Sequence, residues 1–99
     1  MNTKEEIIEF LKNNKVLLKD KYHITKIGLF GSFARNEQKA NSDVDLLIEI
    51  EDGTKDIYDL KNSLRDFLSN SFERSVDLAR SKYLKPYAKE QILKDTLYV

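Results

Sequence analysis

The apolar residues in the first quarter of the chain recur at the spacing of an amphipathic helix. Thr3, with Glu6 three positions later, has the pattern of a capping box at a helix start. The apolar positions that follow are Ile7, Ile8, Phe10, Leu11, Leu17 and Leu18. Because this spacing places them on one face, the pattern predicts a first helix of about four turns.

Two apolar segments in the middle of the chain have the pattern of β-strands. Residues 23–30, HITKIGLF, become more apolar toward Gly31, which predicts a strand that is buried most fully at its end. Residues 43–50, DVDLLIEI, predict a second strand. A short helix or turn beginning at Ser32 and a polar loop, QKANS, are expected between them. With a side-chain period of two, Val44, Leu46 and Ile48 share one face of the second strand, and Asp43, Asp45, Leu47 and Glu49 share the other.

The second half of the chain predicts two further helices and a third strand. After a turn at Gly53, an apolar stripe at helical spacing follows Asp56 and comprises Ile57, Leu60, Leu64, Phe67 and Leu68. RSVDLARS predicts a short strand through residues 76–78, and Pro86 opens a last helix. The closing TLYV fits either a frayed helix end or a short strand. This order of elements predicts an α/β (α+β) domain in which helices cover a small sheet.

Composition limits the size and the partners of this domain. The chain has 99 residues, of which 40% are hydrophobic, and no repeat or linker interrupts it, so residues 1–99 are expected to form a single domain. The 17 basic and 17 acidic side chains give a net charge of zero, so no global field favours direct binding to nucleic acid or to an anionic membrane. Any phosphate binding must therefore be local.

Two features that the sequence lacks limit the chemistry that the protein can perform and its expected location in the cell. The chain has no cysteine, which excludes disulfides, thiolate metal sites and cysteine nucleophiles. Its first residues, MNTKEEIIEF, are too charged for a signal peptide, and its apolar runs are far shorter than the roughly 20 residues that span a bilayer. We therefore expect a cytoplasmic protein without a membrane partner.

Two acids at the start of the second strand suggest a metal site. Asp43 and Asp45 lie on one strand face roughly 6.6 Å apart along the chain, and their carboxylates can converge on a hard cation such as Mg²⁺. A pair of such ions about 4 Å apart can hold the attacking and leaving oxygens of a phosphoryl displacement. Asp77 is the only acid in the third predicted strand, and it is the candidate for a third ligand.

The step from Gly31 to Ser32 suggests a phosphate-binding turn. Glycine lets a phosphate approach the backbone, a helix start presents unpaired N–H groups, and Ser32 adds a hydroxyl. Each feature alone has a simpler interpretation. Asp-x-Asp is also typical of a solvated strand face, Asp77 of a charge that protects an edge strand, and Gly-Ser of an ordinary turn.

Together these residues resemble a known family. The string GSFARNEQKANSDVDLLIEI resembles the Gly-Ser-x-Ala-Arg-Gly-Glu, spacer, Ser-Asp-x-Asp-Leu pattern of the minimal nucleotidyltransferases (MNT), small members of the DNA polymerase β-like superfamily. VDLA at 76–79 is similar to the strand of the third acid, and LKPYAKEQILKDTLYV to the C-terminal segment, so the resemblance covers nearly the whole chain. Asn36 stands where the family usually has glycine. Asparagine tolerates the left-handed backbone conformation, so we expect the turn to survive.

The resemblance implies both a fold and a reaction. The fold is a polymerase-β-like palm, a small mixed sheet flanked by helices. It binds a Mg-nucleoside triphosphate, with ATP as the expected substrate, and transfers a nucleotidyl group with release of pyrophosphate. Asp43 and Asp45 would hold two Mg²⁺ ions, and Asp77 would bind the ion beside the attacking hydroxyl and help to deprotonate it. Gly31 and Ser32 would hold the β- and γ-phosphates. Two further candidates for nucleotide binding are Ser42 and Arg35, of which Arg35 either contacts phosphate or pairs with Glu37 or another acid.

The acceptor is implied by the resemblance alone. In this family the partner is commonly a HEPN-type ribonuclease toxin, and the minimal transferase acts as the antitoxin by adding AMP to a toxin tyrosine. Larger relatives carry an extra helical domain for the acceptor, so a 99-residue chain is expected to borrow its acceptor surface. Two alternatives stay open. One is a non-catalytic module that neutralises its partner by covering it, and the other is an enzyme that modifies a small-molecule hydroxyl.

Overall fold

A computed structural model describes residues 1–99 as a four-stranded sheet with helices on both faces. The helices are α1 (Lys4–Asn13), α2 (Lys15–Tyr22), α3 (Gly31–Ala34), α4 (Ile57–Phe72) and α5 (Pro86–Asp95), with a 3₁₀ turn at Ser81–Tyr83. The strands are β1 (Ile24–Phe30), β2 (Val44–Ile50), β3 (Val76–Arg80) and β4 (Leu97–Tyr98). None of the helices has the length and apolar character needed to cross a membrane.

The prediction of one four-turn helix at the start of the chain is wrong, because the helix is interrupted at Asn14. The Asn14 side chain donates to the carbonyl of Phe10 at 2.8 Å, and its backbone N–H donates to the same carbonyl at 3.1 Å. Such local side-chain bonding competes with helix propagation. The chain turns there, and the buried residues of both α1 and α2, such as Leu11 and Leu18, reach the same core.

The sheet is mixed, as expected, with the strand order β3-β2-β1-β4. β1 pairs antiparallel with β2 and with β4, while β2 pairs parallel with β3. The 16-residue helix α4 connects the parallel pair, which needs a long crossover. TLYV contains the short edge strand β4, which pairs with Gly28 and Leu29 of β1.

The two faces of the sheet have different surroundings. Val44, Leu46 and Ile48 of β2 are fully buried in the main core, against apolar residues of α1, α2 and α4. α3 contacts β1 and β2 with its Phe33 buried in the same core, and α5 contacts β1. Side chains of the opposite face of β2 alternate with Val44, Leu46 and Ile48. Of that second face, Asp45 is partly exposed and Leu47 is fully buried. Asp45 therefore lies near the buried Leu47, at the end of the sheet where β2 and β3 begin.

Candidate active site

The structure brings Asp45 and Asp77 together. Parallel pairing of β2 with β3 places Asp45 directly opposite Asp77, and the backbone N–H of Val44 donates to the carbonyl of Ser75 at 2.9 Å just before them. Asp43 precedes β2 by one residue and is exposed. The spatial proximity inferred from the sequence is therefore present, since three carboxylates lie at the beginnings of two neighbouring strands.

The charges of these acids act on one another. The pKa of Asp45 is raised to about 6, first because the carboxyl is partly buried and then because of the negative charges of Asp77 and Asp43. The positive charge of Arg35 acts in the opposite direction. The protein alone therefore leaves negative charge at this site uncompensated, as expected where a cation or a proton is to be bound.

The raised pKa of Asp45 should make the stability of the protein depend on pH in the absence of divalent metal. A carboxyl with a raised pKa stabilises the folded protein below its unfolded pKa, near 4, and this contribution is lost as pH rises through about 6. Because Asp45 is partly exposed, solvent screening keeps the difference to about 1 kcal/mol. In EDTA, Asp45→Asn should therefore unfold several degrees higher than wild type at pH 7.5 and at an equal temperature at pH 4.

Thermal unfolding followed by circular dichroism would test this expectation. Asp66→Asn is the control, because Asp66 is an exposed aspartate of α4. Equal melting temperatures of wild type and Asp45→Asn throughout pH 4–7.5 would show that neither burial nor the neighbouring carboxylates raise the pKa of Asp45 in the folded protein.

Gly31 has a steric role that the sequence did not reveal. Its backbone is left-handed, with φ +75°, and an added Cβ would overlap Oδ2 of Asp45 and lie 3.0 Å from its Cγ. Sequence reasoning predicted a glycine here so that a phosphate could approach. The structure adds that only a residue without a side chain leaves the space that the Asp45 carboxylate occupies.

The turn that follows Gly31 has the expected form at Asn36. α3 is one turn long, and the carbonyl of Ser32 accepts from the N–H of Glu37 at 2.8 Å as the helix ends. Asn36 adopts φ +57°, the left-handed conformation that asparagine tolerates. The departure from the family pattern at this position therefore leaves a regular turn.

Arg35 is held by two acids. Its Nε donates to Glu37 at 2.8 Å, and a terminal guanidinium nitrogen donates to Oδ2 of Asp95 at 3.1 Å. Both hydrogen bonds, with Glu37 first, raise the pKa of Arg35. The pairing with Glu37 is one of the two roles expected from the sequence. Asp95 was not foreseen, because it lies 60 positions away at the end of α5.

Ser42 shapes the loop before β2. Its hydroxyl accepts from the N–H of Lys39 at 2.7 Å, while its own N–H donates to the carbonyl of Lys39 at 3.1 Å. These two bonds close a turn immediately before Asp43. The hydroxyl that was predicted to contact nucleotide is thus engaged within the loop.

The donor set suits Mg²⁺ if other ligands complete the coordination. Asp45 and Asp77 offer carboxylate oxygens in register on adjacent strands. No group of three or more His, Cys, Asp or Glu side chains converges closely enough to hold an ion without further ligands. Mg²⁺ is usually held by one or two carboxylates together with water and substrate phosphates, so the acids fit an ion that arrives with a nucleotide.

One cavity of the protein lies away from these acids. It has a volume of about 470 Å³ and is found toward the opposite end of the sheet, where its walls include Lys26, Glu49, Arg80, Lys89 and Tyr98. Asp43, Asp45 and Asp77 are not among its lining residues. Outside this cavity, Asp43 and Asp77 are exposed at the surface and Asp45 is partly exposed.

The comparisons with known sequences agree on one family. The model of the nucleotidyltransferase domain matches residues 5–99. A Methanocaldococcus jannaschii chain named "Putative protein adenylyltransferase MJ1379" is 38% identical over the full length of both chains. "Protein adenylyltransferase MntA" of Thermococcus cleftensis is 32% identical, over 100% of this chain and 98% of that protein.

Solved structures have the same fold. A structure described as a "putative minimal nucleotidyltransferase" superposes with a TM-score of 0.79 at 25% identity, over 96% of this chain and 94% of the other. A toxin-antitoxin crystal structure with AMP-PNP superposes with a TM-score of 0.68 at 22% identity, over 88% of this chain and 70% of that one. A tri-AMPylated Shewanella oneidensis HEPN toxin in complex with an MNT antitoxin also matches, with a TM-score of 0.61 at 18% identity, over 91% of this chain and 69% of that one.

Proposed function

Because this chain belongs to the nucleotidyltransferase domain family, we propose that it is an antitoxin that transfers AMP from Mg-ATP to a tyrosine of a HEPN-type toxin. One observation carries the catalytic part of the proposal. Asp45 and Asp77 are opposite each other on parallel strands, and Gly31 leaves room for the Asp45 carboxylate at the end of β1. Acids so placed beside an anion-binding turn suit phosphoryl transfer.

Each residue of the site has a distinct role in this proposal. Asp43 and Asp45 would hold magnesium, and Asp77 would contribute to the ion nearer the acceptor. When bound, magnesium would supply the positive charge that offsets the developing negative charge on the phosphate oxygens. Gly31 and Ser32 would bind the β- and γ-phosphates through backbone N–H groups and the serine hydroxyl. Arg35 orders α3 through Glu37 and Asp95, so its contribution to phosphate binding is indirect.

The reaction balances with these groups. The acceptor oxygen forms a bond to the α-phosphorus of ATP, the bond from that phosphorus to the bridging oxygen breaks, and pyrophosphate leaves. The acceptor proton passes to Asp77 or to water. A tyrosine hydroxyl, with a pKa near 10, loses this proton more readily than a serine hydroxyl does.

Three observations favour a protein acceptor. The two relatives compared above are named as protein adenylyltransferases, and each is matched over the whole length of this chain. Asp43 and Asp77 are exposed, so a side chain on a flexible segment of a partner could reach the acids. The fold is shared with an MNT antitoxin whose complex contains an AMPylated HEPN toxin.

Transfer of label from ATP tests the proposal. The purified chain would be incubated with Mg-ATP labelled at the α-phosphate and with the product of the neighbouring gene, which the proposal expects to be a HEPN-type protein. Adducts would be mapped by mass spectrometry. We expect AMP on a partner tyrosine with wild type. We expect none in EDTA, with Asp77→Asn, or when that tyrosine is replaced by phenylalanine.

The same experiment separates the two alternatives. Tight binding to the partner without an adduct, whatever the metal or nucleotide, would overturn the proposal in favour of a module that neutralises by covering. Pyrophosphate release that depends on an added small-molecule alcohol, with no labelled protein, would favour a small-molecule nucleotidyltransferase.

A further inference from the structure

Arg74 occupies the junction between α4 and β3, three residues before Asp77. All three of its guanidinium nitrogens donate hydrogen bonds. Nε donates to the carbonyl of Met1 at 2.8 Å, and one terminal nitrogen donates to Oδ1 of Asn2 at 2.9 Å. The other terminal nitrogen faces the loop that leads to Asp43. The side chain therefore joins the N-terminal segment to this loop.

The loop contacts of Arg74 are made with backbone carbonyls. One terminal nitrogen lies 3.3 Å from the carbonyl oxygen of Lys39, 3.1 Å from that of Ala40 and 3.0 Å from that of Ser42. Ser42 is the residue immediately before Asp43. The planar fork of an arginine reaches acceptors in several directions at once, which a lysine ammonium cannot reproduce from one point.

The guanidinium also lies against the helix that follows Gly31. Its central carbon is 4.9 Å from the ring centroid of Phe33, a fully buried residue of α3. Such a cation over an aromatic face is attracted by the ring. Arg74 thus lies close to three segments that adjoin the proposed site. They are the Gly31–Ala34 turn, the loop before β2 and the start of β3.

Apart from Arg74, few side-chain hydrogen bonds join residues 38–42 to the rest of the protein. Residues 35–43, RNEQKANSD, contain no large apolar side chain, so hydrophobic burial cannot fix their position. Ser42 closes the loop on itself through Lys39. At the start of the loop, Arg35 donates to Asp95 of α5 at 3.1 Å, and Gln38 donates to the carbonyl of Asn2 at 3.2 Å. Arg74 makes three contacts with residues 39–42 from one rigid group, so it is the principal connection between this part of the loop and the body of the protein.

We propose that Arg74 is a positioning residue for nucleotidyl transfer, which acts by fixing the loop before β2 against the start of β3 so that Asp43 and Asp45 stand beside Asp77. The inference rests on the proposed function for its catalytic consequence. Misplacement of reacting groups by about 1 Å can reduce a rate by about 10²-fold. Loss of the fork should therefore lower kcat by about 10- to 100-fold in a protein that stays folded.

Arg74→Lys tests this proposal with Arg65→Lys as its matched control. Arg65 is also a partly buried arginine, but its only side-chain hydrogen bond joins it to Asn62 within α4, at 2.8 Å. Leu60→Ala, which removes packing from α4 against the core, provides a variant that is less stable without touching Arg74. All four proteins would be assayed well below their unfolding temperatures, with kcat and KM for ATP determined separately.

Amide hydrogen exchange gives a second readout that needs no enzyme activity. In Arg74→Lys we expect the amides of Ser42 and Val44, which are bonded to Lys39 and Ser75, to exchange at least about 10-fold faster. Protection elsewhere in the sheet should be unchanged. We expect Arg65→Lys and Leu60→Ala to keep both the wild-type kcat and the local protection at these two amides.

Three outcomes are decisive. Wild-type exchange at Ser42 and Val44 in Arg74→Lys would overturn the proposal, and so would a wild-type kcat in that variant. An equal loss of kcat in Leu60→Ala would also overturn it, since general destabilisation would then explain the effect. If wild type itself transfers no nucleotide, the proposed function fails, while the exchange measurement still decides whether Arg74 fixes the loop.

Discussion

Asp45→Asn is expected to lower the rate of nucleotidyl transfer by about 10³-fold or more, which corresponds to about 4 kcal/mol of lost transition-state stabilisation. Asparagine keeps the shape of the side chain but removes the charge that a magnesium ion would contact. Asp45 is also the acid that faces both Asp77 across the strands and the space left by Gly31. We expect the same for Asp43→Asn if both acids share the metal.

This loss should occur without unfolding, which separates it from a structural effect. Removal of one of three neighbouring negative charges relieves repulsion, so Asp45→Asn should be at least as stable as wild type in EDTA at pH 7.5. Added Mg-ATP should raise the melting temperature of wild type and leave that of Asp45→Asn unchanged. Asp66→Asn should behave as wild type in both assays. A folded Asp45→Asn protein with full activity would disprove the role of this acid.

Much of the site was predictable because strand geometry is simple. Side chains alternate along a strand, so recognising residues 43–50 as a strand predicted that Asp43 and Asp45 share a face, and in the structure Asp43 lies one residue before β2. A short strand with one central acid then made Asp77 the natural neighbour, and the parallel pairing of β2 with β3 places it opposite Asp45. The mixed character of the sheet, in contrast, was expected from the family resemblance and not from periodicity, and the strand order was not predicted.

The features that sequence reasoning missed depend on contacts between distant parts of the chain. The break at Asn14 arises from a side-chain bond that competes with an otherwise continuous apolar stripe. Arg35 pairs with Asp95 across 60 positions, and Arg74 bonds to Met1 across 73. No local pattern marks such pairs. An arginine just before a strand looks the same in the sequence whether its side chain is solvated or hydrogen-bonded to several carbonyls.

Gly31 is a case in which the sequence predicted the residue type but not the whole reason. Glycine at the end of a strand before a serine indicates a turn that can approach phosphate. The close neighbour, however, is Asp45, from the next strand. The absence of a side chain at Gly31 and the position of the Asp45 carboxylate therefore depend on each other. A substitution at either residue should change the effect of a substitution at the other.

Gly31→Ala is expected to reduce nucleotidyl transfer by about 10²-fold, because the new methyl group would displace the Asp45 carboxylate or twist the turn before α3. It should also destabilise the fold. A left-handed alanine costs about 1 to 2 kcal/mol, and the overlap with Asp45 adds to this. Activity would be measured by label transfer at a temperature where the variant is folded, and stability by denaturant unfolding.

Gly53→Ala is the matched control, because Gly53 has a similar backbone, φ +82°, with no atom within 4 Å of an added Cβ. It should carry the conformational cost alone and keep wild-type activity. In an Asp45→Ala background, where the Oδ2 overlap no longer exists, the stability cost of Gly31→Ala should fall toward that of Gly53→Ala. Additive costs of Gly31→Ala and Asp45→Ala would show that the two positions are not coupled. Equal activity of the two glycine variants would mean that the space beside Asp45 is not needed for transfer.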